Sequence, residues 1–175
     1  MREAVLGLVL LALAVPAAAG RKGGTNMGAM HLTSPAFVQG GVIPALHTCD
    51  GRDTSPPLAI GGVAEQAQSL VLIMDDPDAP MGTWVHWVLW NIPPHSAAIA
   101  ENGVPAGSVQ GRNSWQRSGY GGPCPPSGSH RYFFRLYALD TRLDLPAGAG
   151  KAEVERAMKG HVIAEAELMG TYRRR

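Results

Sequence analysis

The chain has 175 residues, a formal net charge of +1, 45% hydrophobic and 17% charged residues, which suits one folded domain with a proper core. So even a charge balance excludes the clustered basic face of a nucleic-acid-binding surface, and the terminal "RRR" reads as a solvated tail. With 22 glycines and 14 prolines, long helices have little room, and short strands joined by turns fit better.

The first twenty residues, "MREAVLGLVLLALAVPAAAG", have the layout of a secretory signal. Arg2 precedes an apolar run from Val5 to Val15, followed by Pro16 and small residues. The run is too short for a membrane span; an N-terminal tether is the alternative. The expected organisation is a signal over residues 1–19, a glycine-bearing linker over 20–30 and one domain over 31–175, acting in the periplasm or outside the cell. Cys49 and Cys124 each flank a turn sequence, "HTCDGRD" and "GGPCPP". In an oxidising compartment such a pair is expected to form a disulfide, two separate thiols being the alternative. Neither cysteine fits a zinc pattern or a C-x-x-C redox pair.

In chain order, "LTSPAFVQGGVIPALHTC", "SLVLIMDDPDAP", "TWVHWVLWNIPP" and "RYFFRLYALD" are short apolar stretches between turn residues, as expected of strands. "KAEVERAMKGH" (151–161) is the convincing helix, with Val154 and Met158 four apart and Gly160 as its stop. "VIAEAELMGTY" alternates, setting Ile163, Glu165 and Glu167 against Ala164, Ala166 and Leu168, and reads as a last strand. The expectation is a mainly β domain, a sandwich of sheets.

Polar residues interrupt this pattern in three places. An apolar strand ends in Asp75, Asp76 and Asp78; an extended chain would point Asp76 and Asp78 the same way. Alternation along "TWVHWVLW" places Trp84, His86, Val88 and Trp90 on one face. His130 and Tyr132 stand two apart, about 7 Å along one face of a strand, where the loop "GPCPPSGS" becomes the run "RYFFRLYAL". Each feature also has a purely structural reading, as a turn cap or a satisfied core residue. No G-x-S-x-G elbow, H-E-x-x-H or P-loop pattern is present. The residues alone therefore imply a pocket of carboxylates, imidazoles and a phenol, with no identified reaction.

The motifs "DDPDAP", "WVHWVLWNIP" and "GYGGPCPPSGSHRYFFRLYALD", with "CDGRDTSPPL" and "AEAELMGTY", resemble the phosphatidylethanolamine-binding protein (PEBP) family, in particular its bacterial and archaeal Raf-kinase-inhibitor-like (YbhB/YbcL-type) branch. The resemblance spans roughly residues 32 to 172. It implies a PEBP-like β-sandwich, a large antiparallel sheet packed on a smaller one with a few short helices. It also implies a small pocket for phosphate, acetate or a phosphorylated headgroup, formed by Asp76, Asp78, His86, His130 and Tyr132, with Pro126 and Gly128 shaping the rim. Imidazoles and a phenol can donate to phosphate oxygens, while carboxylates orient the histidines.

Eukaryotic members carry an extra C-terminal helix over the pocket, whereas this sequence stops soon after its last strand. A more open pocket is expected, and kinase inhibition is not carried over. The leading expectation is a non-enzymatic protein that binds a small anionic or phosphorylated ligand and needs no cofactor; a protein partner and a homodimer stay open. One alternative is a protein inhibitor, for instance of a protease, using the loop "NSWQRSGYGGPCPP". Another is a metal-dependent hydrolase using Asp76, Asp78, His86 and His130.

Overall fold

Three of the four apolar runs become strands, whereas of residues 32–49 only 32–33 do, the rest forming proline- and glycine-bearing turns, a lone bridge at Val42 and a 3-10 turn. The protein is described by a computed structural model covering Met1 and residues 29–174. Apart from Met1, the export signal expected over residues 1–19 lies outside the described residues, as does the linker up to residue 28. The strands are β1 (His31–Thr33), β2 (Leu58–Gly61), β3 (Ser69–Asp76), β4 (Trp84–Ile92), β5 (Ala98–Ile99), β6 (Val109–Gln110), β7 (Ser129–Leu139) and β8 (Val162–Arg173). Helix α1 spans Lys151–Met158, and a single 3-10 turn spans Ala45–His47. A three-stranded sheet has the order β1-β2-β5, and a five-stranded sheet the order β6-β4-β3-β7-β8, with every pairing antiparallel. The expected sandwich of a larger and a smaller sheet is what forms.

β3 is buried along its whole length, because it is central in its sheet and covered on both faces. Leu70, Leu72 and Met74 join Leu32, Ile60, Phe134 and Leu136 in the core between the sheets. Val71 and Ile73 pack on the opposite face with Val88, Trp90, Val154 and Met158. α1 therefore roofs the outer face. Its first turn is closed by the Gly150 N–H donating to Glu153 Oε2 at 2.6 Å, and Gly160, at φ +85°, lies just beyond its end.

Asp75 ties this helix to the sheet. Its carboxylate accepts from Arg135 Nη1 at 2.7 Å and from Lys151 Nζ. This acid, which interrupts the strand pattern in the sequence, belongs to the fold.

Two β-bulges overturn expected side-chain faces. Met74 pairs with Trp87 and Asp75 with Val85, so His86 is an extra residue on β4. The bulge breaks the alternation that would set Trp84, His86, Val88 and Trp90 on one face. Instead Trp84 and His86 line an inner cleft, Trp87 and Leu89 enter the inner core, and Val88 and Trp90 face α1. A second bulge places Ile163 opposite no residue of β7, between pairs Ala138–Ala164 and Leu139–Val162. Ile163 thus packs on the same core as Ala164 rather than opposing it.

β8 is an edge strand, half closed. Gly40 N donates to Met169 O, Gln39 Oε1 takes the Met169 N–H, and Thr171 exchanges backbone bonds with Gly41 and Ile43. The two-residue alternation that turns Met169 and Thr171 outward also turns the backbone of Glu165 and Glu167 outward, where no strand lies beside them among the described residues.

Candidate functional site, a cleft at the end of the large sheet

The C-terminal end of β3 and the N-terminal ends of β4 and β7 meet at one end of the five-stranded sheet, since these neighbours run antiparallel. β3 contributes its last residue, Asp76, β7 its first inward residue, His130, and β4 both Trp84 and the bulged His86. They open into a cleft of roughly 470 Å³.

Asp76 is fixed through both oxygens. Oδ1 accepts the Asp78 N–H at 2.8 Å, and Oδ2 accepts His130 Nδ1–H at 2.7 Å. That leaves Nε2 of His130 for a ligand. His86 is held differently, by Nδ1–H donating to the Gly121 carbonyl at 2.6 Å. A carbonyl can only accept, so neutral His86 carries a bare Nε2. Burial lowers its pKa, opposed by the Gly121 hydrogen bond and the charge of Asp76, so the Nε2 of neutral His86 accepts, and it donates only once the ring is protonated.

Tyr132 packs edge-on against His86, with ring centroids 5.2 Å apart. Its hydroxyl is buried and makes no hydrogen bond of good geometry, although the Asp76 carboxylate and the Cys124 backbone are close enough to influence it. Burial, then the charge of Asp76, drives the phenol far above its ordinary pKa, so it is a neutral hydroxyl. Tyr132 is fully buried and is not part of the cleft lining.

Asp78 departs from the expected arrangement. β3 ends at Asp76, and the chain turns at Pro77, so the two carboxylates do not point together. Asp78 accepts from the backbone N–H, Nε and Nη2 of Arg131, which hold its carboxyl at about 2. It orients no histidine. Of the four residues of the hydrolase alternative, Asp76, His86 and His130 therefore share the cleft without Asp78, and no three His, Cys, Asp or Glu side chains are placed to hold a metal ion among the described residues. Pro126 lines the cleft. Gly128, at φ +69°, supplies the turn entering β7.

Cys49 and Cys124 are joined as a disulfide, with Cα atoms 5.4 Å apart, and both line the cleft. The loops they join are also held by Cys49 N–H to the Pro123 carbonyl, Tyr120 Oη–H to the His47 carbonyl, and Gly122 N–H to Asp53 Oδ1.

The sequence motifs missed several residues of the rim. Asp53 and Arg117 lie 3.6 Å apart, Arg117 stacks over Trp115 at 5.5 Å, and Trp115 meets His86 and Trp84 edge-on. Met81 stands 91% exposed beside them. Asp53 sits inside "CDGRDTSPPL", and Trp115 and Arg117 inside "NSWQRSGYGGPCPP", yet nothing in the spacing of these loops aims them at β3 and β7.

Two antiparallel sheets ending in a recessed cleft with a carboxylate-backed histidine define a β-sandwich of the ligand-binding kind. A family profile, phosphatidylethanolamine-binding protein, matches residues 33–173, and the chain belongs to that family. A UPF0098 protein of Methanothermobacter thermautotrophicus is 57% identical over 150 residues, covering 83% of this chain and 99% of the relative. UPF0098 protein PH1269 of Pyrococcus horikoshii is 50% identical over 150 residues, covering 81% and 76%. Among solved structures, the PEBP homologue CT736 of Chlamydia trachomatis matches with a TM-score of 0.81 at 45% identity, over 84% of this chain and 99% of that one. YbcL of E. coli, described as a member of the mammalian PEBP family, matches with a TM-score of 0.79 at 32% identity, over 85% and 100%.

Proposed function

We propose that this protein is a non-enzymatic binding protein whose cleft holds phosphate or a phosphorylated headgroup, and that it works after export, in the periplasm or outside the cell. The observation that carries the binding reading is His130: Asp76 takes its Nδ1–H at 2.7 Å, so an imidazolium there presents Nε2–H to an oxyanion. His86 lines the same cleft, and the buried, neutral Tyr132 packs against it. The residue pattern of positions 1–19 and the Cys49–Cys124 disulfide support export.

The reading carries a pH dependence with a definite sign. His86 has a lowered pKa in the free protein; an oxyanion beside it favours the imidazolium. Binding then takes up a proton and strengthens as pH falls from 8 to 6. Calorimetry with O-phosphoethanolamine, and with sulfate as a probe whose charge is constant in this range, measures it. His130→Ala should weaken binding about ten- to a hundred-fold, the loss of one charge-assisted hydrogen bond. Its melting temperature should fall less than that of Phe134→Ala, which empties a fully buried core position. Equal affinities for wild type and His130→Ala, with a large drop in melting temperature, would make His130 a core residue and end the binding reading.

A further inference from the structure

Anion binding in this cleft faces an electrostatic obstacle. Asp53 and Asp76 both line it, and Arg117 is the only permanent cation in the lining among the described residues. We propose that Arg117 is the residue that grasps the ligand's charge, exchanging its loose pairing with Asp53 for the terminal oxygens of a phosphomonoester while His130 takes another oxygen. The inference rests on the anion-binding reading and adds the ligand class and its selecting residue.

The guanidinium is unspent. Arg131 and Arg135 each bond carboxylates at 2.7–3.0 Å, whereas the Arg117 side chain donates no hydrogen bond among the described residues. It stands 3.6 Å from Asp53 with 57% of the side chain exposed, within the range where an ion pair is weak and readily exchanged. Asp53 is committed elsewhere: its Oδ1 takes the Gly122 N–H at 2.6 Å.

The base of Arg117 is fixed, while its tip rests over Trp115 without a hydrogen bond. Asn113 Oδ1 accepts the backbone N–H of Trp115 and of Arg117, and Asn113 N–H donates to the Arg117 carbonyl. Gln116 takes the left-handed turn at φ +61°. Trp115 lies so close over Gly121 that a Cβ there would stand 2.5 Å from its ring. A fork on a rigid base suits two oxygens of one phosphate. A monoester has three terminal oxygens, enough for Arg117 and His130 together; a diester has two.

The test uses phenyl phosphate and its methyl diester, with affinities from calorimetry and occupancy of the cleft from the His130 imidazole resonances. Arg117→Gln should bind phenyl phosphate about ten-fold more weakly, and Arg117→Lys should recover part of the loss. Asp53→Asn should bind it about three-fold more tightly, because the competitor for the guanidinium is gone while an amide oxygen still accepts from Gly122 and tolerates the left-handed backbone. The diester should bind wild type several-fold more weakly than the monoester. Arg117→Gln and Asp53→Asn both within two-fold of wild type would overturn the proposal while leaving anion binding intact. Weaker binding by Asp53→Asn would overturn the exchange, and a diester bound as tightly as the monoester would overturn the ligand class. No shift of the His130 resonances with either probe in wild type would overturn this proposal together with the anion-binding reading.

Discussion

The Tyr132 hydroxyl is buried and meets Asp76 and the Cys124 backbone without a hydrogen bond of good geometry, an arrangement that costs free energy on folding. Tyr132→Phe should therefore leave stability unchanged or raise it by about 1 kcal/mol, measured by urea unfolding of the ligand-free protein. A loss of more than about 1 kcal/mol would show that the hydroxyl is satisfied after all. Neighbouring residues show how far single side chains can be read from sequence. Asp75, Asp76 and Asp78 lie within four positions, yet one clamps α1, one orients His130 and one pairs with Arg131 in a surface turn. Their chemistry was legible; their directions depend on where β3 ends and on partners 53 or more positions away.

Elements were more legible than the faces they present. Apolar runs bounded by glycine and proline announce the long strands, and the spacing of Val154 and Met158 announces α1, because burial imposes the period of each element on its sequence. A bulge leaves no such mark. His86 reaches the cleft because β4 carries one residue more than its partner at that point, and counting by twos cannot reveal it. The disulfide acts at this scale too, joining the loop after the 3-10 turn to the loop before β7 across 75 positions. Opening it with a dithiol, or by Cys49→Ala with Cys124→Ala, should lower stability by about 2–4 kcal/mol, read from denaturant unfolding with and without reductant. Alkylation should find no thiol before reduction and two after it. Two reactive thiols in the oxidised protein would remove the brace.

At the scale of the molecule, the sandwich puts its packing and its chemistry in different places. Phe134, Leu136 and their neighbours fill the space between the sheets, while the cleft occupies the end where three strands run out. The rim was illegible for that reason: Asp53, Trp115 and Arg117 come from loops whose positions the sheets determine from a distance. The motifs singled out Asp76, His86 and His130, which the structure sets in the lining of that cleft, whereas the rim had to wait for the geometry.

The half-closed edge of β8 bears on how the protein behaves in a concentrated solution. Outward-facing backbone beside Glu165 and Glu167 is a template on which a second chain could lay a strand, and two adjacent carboxylates make that pairing repulsive. Glu165→Thr with Glu167→Val would strip the charge and leave a β-branched, sticky strip running on toward exposed Val162. Light scattering on heating should then report assemblies that grow with protein concentration, at a melting temperature close to wild type. Unchanged scattering would mean that these glutamates guard nothing. If the assemblies form, part of the acidity of this strand is spent on colloidal behaviour, a demand set by the neighbours of the molecule rather than by its fold or its ligand.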